Sequence, residues 1–150
     1  MGIRDAVQEA MKTAMKNKDS ERLACLRMAK GALLLKEKEK GGAVSDEDAV
    51  TALRAEMKKR RQTAETMREV GKEEQAQAAE REAAMIGEFL PQQLSEADLE
   101  AKVRAYLDEH PEITQAGRLT GALKKALGDA ADGKMLNEVC RRVLEGRDTG

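Results

Sequence analysis

The sequence predicts an all-α protein, on three observations. Its bulk is Ala, Leu, Met, Glu, Lys and Arg, the residues that lose least on entering a helix. Aromatic residues make up 1% and there are two prolines in 150 residues, with few of the β-branched or aromatic runs that make strands. Apolar residues recur at spacings of three and four, the period of a helix with one buried face. With almost no aromatic side chains, the core must be built from Leu, Met, Ile, Val and Ala, which predicts thin packing and modest stability.

The first helix is expected from about Ile3 to Lys16, with Ile3, Val7, Met11 and Ala14 with Met15 turned inward. The segment N-K-D-S at 17–20 reads as a turn, with Asp19 placed to cap a second helix that runs to about Lys40. Leu23, Leu26, Ala29 or Lys30, and Leu33 form its inner stripe, and Gly41–Gly42 ends it. Ser45 opens a third helix with an acidic first turn, S-D-E-D, which suits the positive end of the helix dipole. Its core face is Ala49, Val50, Leu53, Met57, Ala64, Met67 and Val70, with Gly71 as the stop. The fourth helix, about Lys72 to Phe89, offers Ala76, Ala79, Ala83, Ile86 and Leu90, a face that permits close approach but buries little area per residue.

Leu90–Pro91 marks a joint, because proline biases the residue before it away from helix. Two domains are therefore expected: a four-helix region over residues 1–90 and a small three-helix tail over 91–150. Ser95 starts a fifth helix, with Leu99, Val103 and Tyr106 or Leu107 inward and His110–Pro111 closing it. Thr114 is placed to cap a sixth helix whose Leu119, Leu123 and Leu127 share one stripe. Gly128 stands at its end, where a left-handed residue is usual, and Asp132 can cap the seventh helix. That helix turns Leu136, Val139, Cys140 and Val143 inward, and Gly146 closes it. Gly121, inside a helical pattern, costs about 1 kcal/mol relative to alanine, which points to close approach of a neighbouring helix or of a ligand.

Charged residues make up 37% and the net charge is −1, which argues against a free-standing, non-specific nucleic-acid binder. The charge is uneven, however. Residues 117–147 carry seven bases against four acids, while 91–116 carry two against six. Off the apolar stripes of the last two helices lie Arg118, Lys124, Lys125, Lys134, Arg141 and Arg142, with Lys124 at the flank because it follows the inward Leu123. Basic residues around a glycine-flanked turn make a candidate phosphate surface; solvated charges on an ordinary helical hairpin are the alternative. The run K-K-R-R at 58–61 covers all sides of a helix, so it forms no single patch and is expected to be solvated or paired with Glu56 and Glu65.

Nothing in the sequence assembles a catalytic constellation. His110 is the only histidine and stands at a helix end, where an imidazole meets terminal carbonyls. No Ser-His-Asp set can be built without it. Cys25 and Cys140 sit among apolar neighbours, so they read as reduced core residues, neither disulfide nor zinc ligands. Asp46, Glu47 and Asp48 favour a helix start over a metal site. The glycines at 117, 121, 128 and 133 match no nucleotide-binding fingerprint. No metal and no cofactor is expected. With no apolar leader and no long apolar run, the chain is expected to be cytoplasmic and off the membrane.

Several segments resemble one known family. T-G-A-L at 120–123, Gly128 and A-D-G-K at 131–134 resemble the tail of the YqeY family, which also closes the B subunit of the tRNA-dependent amidotransferases. L-R-M-A-K-G-A-L at 26–33 resembles the family's second helix, E-F-L-P-Q-Q-L-S at 88–95 its interdomain joint, and the basic run at 58–61 its basic segment. The pieces occur in family order and span nearly the whole chain. Asp129–Ala130 departs from the pattern, in which a basic residue is frequent. Similar modules are appended to some bacterial glutaminyl-tRNA synthetases. The resemblance implies a non-catalytic accessory module, stand-alone or part of a larger enzyme, whose partners are tRNA and a tRNA synthetase or amidotransferase. The alternative expectation is a protein-interaction adaptor that binds no nucleic acid.

Overall fold

The computed structural model describes residues 2–149, and side chains for residues 2–147. Among the described residues every regular element is helical: α1 (Ile3–Lys16), α2 (Ser20–Lys40), α3 (Asp46–Glu69), α4 (Glu73–Gly87), α5 (Glu96–Glu109), α6 (Ala116–Leu127), a 3-10 turn (Gly128–Ala130) and α7 (Gly133–Thr149). Contacts cluster into two compact units, residues 1–90 and 91–150.

The helix starts are set by local chemistry. Asp19 accepts from the Arg22 amide at 3.1 Å, Ser45 from Asp48 at 3.1 Å, Ser95 from Asp98 at 3.1 Å and Asp132 from Met135 at 3.0 Å. Each satisfies an amide that has no partner inside its own helix. α2 stops at Gly41, whose φ of 76° only glycine adopts without steric cost. α1 is capped from a distance: the Ile3 amide donates to Asp46 Oδ1 at 3.1 Å, so one residue of the acidic run serves a second helix. The carboxylate sits so near Gly2 that a Cβ there would lie 3.0 Å from Oδ1.

In the first unit, Val7, Met11 and Ala14 of α1 pack with Cys25, Leu26, Ala29 and Leu33 of α2, Ala49, Leu53 and Met57 of α3, and Ala83 and Ile86 of α4. Ala29 rather than Lys30 is the inward residue of α2. α3 and α4 continue past this cluster as a two-helix hairpin around Ala64, Ala76 and Ala79, with Met67 beside them. Two residues expected inside are not. Met15 is 58% exposed, because the last turn of α1 keeps only Ala14 on the core side. Val70 is 63% exposed, because it is the residue after the last turn of α3.

In the second unit, Leu99, Val103 and Leu107 of α5 close over Leu119 and Leu123 of α6 and Leu136, Val139, Cys140 and Val143 of α7. Leu107, not Tyr106, is the buried member of its pair. Thr114 does not cap α6: the cap position is Gln115, without a side-chain hydrogen bond. Ile113, 5% exposed, is drawn into the core and sets where the chain enters the helix, so burial overrides the local capping preference. Gly146 does not end α7, which runs to Thr149. An exposed mid-helix glycine costs little enough to be carried, and Arg147 ties the last turn to Asp108 at 2.6 Å.

Candidate nucleic-acid interface

The site expected from the sequence surrounds the α6–α7 turn, and its backbone is closely held. Gln93 Nε2 donates to the Asp129 carbonyl at 2.8 Å, and the Leu94 amide to the Ala130 carbonyl at 2.8 Å. Lys124 Nζ donates to the carbonyls of Gly128 at 3.0 Å and Ala131 at 2.5 Å. All four carbonyls from Gly128 to Ala131 are thus engaged. Gly128 has φ 58° and ψ −134°, the mirror-image extended region rather than the left-handed helical one.

These contacts divide the six sequence candidates. All six are exposed. The Lys124 ammonium is spent on the turn carbonyls, as a lysine near a helix C-terminus commonly is. Arg142 is spent on α5, with Nη1 2.7 Å from Glu96 and Nη2 3.9 Å from Glu100. The Glu96 carboxylate raises its pKa further. Arg118, Lys125, Lys134 and Arg141 have no carboxylate within ion-pair distance among the described residues.

The four do not form one patch. Arg118 and Lys125, seven residues apart, share a stripe on the outer face of α6. That helix has three bases and no acid along its twelve residues. Lys134 and Arg141, also seven apart, share a stripe on α7, but Glu138 and Glu145 fall on the same stripe. Of these two stripes the less compensated is therefore the outer face of α6. Gly117 and Gly121 belong to that face, and a Cβ at either would meet nothing within 4 Å. The expectation that Gly121 marks a close helix contact is thereby corrected.

Other candidates resolve into structural roles. Of the basic run, Lys59 and Arg60 lie 3.9 Å from Glu56, and Arg60 lies 3.5 Å from Glu82. Glu65, the other expected partner, makes no such pair among the described residues. The His110 ring meets no terminal carbonyl; it lies against Tyr106, with centroids 4.3 Å apart, and Nδ1 is 3.7 Å from Glu112. Cys25 and Cys140 are free and buried. Burial pushes the Cys25 thiol up to about 11, with Glu82 adding to the rise, and burial raises Cys140 as well. Thiols held neutral in this way are poor nucleophiles. Among the described residues no group of three or more His, Cys, Asp or Glu is placed to hold a metal ion, and no helix is long and apolar enough to cross a membrane.

Comparison with family models finds a match to the YqeY-like proteins over residues 4–144, nearly the whole chain. The chain belongs to the YqeY family. No curated protein matches it. The two YqeY units contribute differently to the surface just described: Arg118, Lys125, Lys134 and Arg141 all belong to residues 91–150.

Sequence reasoning missed the ties on Lys124 and Arg142, and the strap made by Gln93 and Leu94. The carboxylate that takes Arg142 stands 46 residues away, beyond any local pattern. Lys124 had a local signal, a lysine in the last turn before a glycine stop.

Proposed function

We propose that this chain is a tRNA-binding accessory module, which raises the affinity of an enzyme of tRNA aminoacylation or amidation for its substrate and catalyses nothing itself. The observation that carries the reading is the outer face of α6, where Arg118 and Lys125 stand without carboxylate partners among the described residues, on a helix that has no acid. Membership of the YqeY family supports it. Contact is through phosphates, since Tyr106 and Phe89 are the only aromatic side chains in the sequence and neither lies on α6. With three to five phosphate contacts, affinity is on the order of micromolar or weaker. Tethering to an enzyme then matters more than binding in isolation.

The test is a titration of labelled tRNA with the full chain, repeated over a salt series. Affinity should fall linearly in log–log terms, with a slope of roughly −0.7 to −0.9 per contact. Arg118→Glu with Lys125→Glu should weaken binding and flatten that slope. Lys16→Glu with Lys18→Glu, in the α1–α2 turn, should do neither. Equal effects of the two pairs would mean diffuse attraction without a site. Absence of binding at low salt would favour the adaptor reading.

A further inference from the structure

The α3–α4 hairpin changes character along its length. Near its base, Met57 of α3 and Ala83 and Ile86 of α4 belong to the main core of the first unit, which also draws on α1 and α2. Farther out, from Ala64 to Glu80, the buried interior is Ala64, Ala76 and Ala79, with Met67 half-buried at its edge. An alanine methyl removes little apolar area from water, so three of them hold a helix pair weakly. One side of the pair is hollow, with a groove of about 410 Å³ floored by Met57, Ala64, Ala83 and Ala84. The turn adds no burial, since Val70 is exposed, and α4 starts at Lys72 without a side-chain cap. What joins the two helices here is charge. Arg68, in the last turn of α3, donates from Nε and Nη2 to the two Glu73 oxygens at 3.0 and 3.2 Å, and from Nη1 to Glu80 at 2.7 Å. One guanidinium therefore bridges the turn and reaches two turns along α4. Isolated exposed ion pairs contribute little, but a two-pronged arginine contact shared with a second carboxylate is the stronger kind. Among the described residues no other ion pair joins α3 to α4 between Ala64 and Glu80.

We infer that residues 64–80 form a latched arm, which opens and closes as one unit while the rest of residues 1–90 stays folded, and that Arg68 is the latch. Local opening of this kind belongs to segments with few buried apolar contacts, and the alanine interior is such a segment. The latch is ionic and its three side chains are about half exposed, so dissolved salt screens it and loosens the arm. The arm is thus the part of this unit whose opening follows the ionic surroundings. It is independent of whether the tail binds RNA, because every residue involved lies within residues 1–90.

Native-state hydrogen exchange of the full chain, followed amide by amide at constant pH, tests this directly. Amides of residues 64–69 and 76–80 should share one opening and be at least about tenfold less protected than those of Leu53 and Ile86, which lie on the same two helices. Arg68→Met should speed exchange in both stretches by roughly fivefold and leave Leu53 and Ile86 unchanged. Raising salt from about 0.05 to about 1 M should speed the wild-type arm severalfold and scarcely alter that of Arg68→Met. Arg81→Met removes an equally exposed ion pair of α4, made with Glu21 of α2 at 2.8 Å, and should leave the arm as it was. An arm as well protected as Leu53 and Ile86 would overturn the inference. So would an Arg68→Met effect confined to α3, a salt response equal in wild type and variant, or an Arg81→Met effect as large as that of Arg68→Met.

Discussion

Replacing Lys124 by methionine separates structure from RNA binding within the tail. Methionine keeps an unbranched apolar stem and removes the ammonium, so the Ala131 carbonyl loses its side-chain donor while the Gly128 carbonyl keeps the Ala131 amide at 3.3 Å. A buried carbonyl stripped of its partner costs about 1–3 kcal/mol, and a charged donor lies at the upper end of that range. Ala131 is fully buried, but Gly128 and the Lys124 side chain are exposed, so water replaces part of what is lost. The net expectation is about 1 kcal/mol, with Gly128 contributing little. For a unit of this size that lowers the melting temperature by about 4–8 °C. The unfolding of residues 91–150 can be followed by thiol labelling of Cys140, which is buried in that unit and absent from the other. Affinity for tRNA at a temperature well below melting should change by less than about twofold, whereas Lys125→Met should lower affinity and leave labelling alone. If Lys124→Met lowers affinity as much as Lys125→Met without accelerating Cys140 labelling, the clamp is incidental and Lys124 is a contact residue after all.

Other predictions concern the units and their charges. Leu26→Ala and Leu99→Ala, both at fully buried sites, should each cost about 3 kcal/mol or more. Leu26→Ala should accelerate labelling of Cys25 but not Cys140, and Leu99→Ala the reverse; parallel acceleration of both would contradict semi-independent folding. Limited proteolysis should cut first at Gly41–Gly42 or near Pro91, and cleavage inside the helices before either site would contradict the two-domain reading. The hydrogen bond from Lys40 holds Asp48 below its ordinary value of 3.8, and that from Arg68 holds Glu73 below 4.5. Depressed folded values mean that both groups stabilise the fold above those ordinary values and cease to as pH falls through the folded ones. Lys40→Met should therefore melt earlier than the wild type near pH 6, with the difference shrinking as pH falls below the ordinary carboxylate range; a gap that widens in acid would contradict the pairing.

Much of this fold was legible because its signals are local. Asp19, Ser45, Ser95 and Asp132 each satisfy an amide three residues on, so a side chain of the right type before an apolar stripe was sufficient. Where tertiary burial competes, local reading failed. Thr114 has the right chemistry for a cap, but the buried Ile113 beside it sets the path of the chain. Gly146 resembles a stop, yet a distant carboxylate, Asp108, meets the following arginine. The candidate site was legible as a set of outward bases but not as a division among them. Periodicity tells which way Arg142 points, whereas only the placement of α5 brings Glu96 within 2.7 Å of it. That nothing packs close to Gly121 likewise depends on the placement of neighbouring helices, which no spacing rule records.

The central claim is that RNA meets the outer face of α6. Amide chemical shifts of the isotopically labelled full chain, recorded while tRNA is added at low salt, test it most directly. Perturbations should concentrate at residues 117–125, with Gly117 and Gly121 among the largest, smaller effects around Lys134 and Arg141, and reversal on adding salt. Perturbations confined to residues 1–90, or none at tRNA concentrations well above the micromolar range, would contradict it.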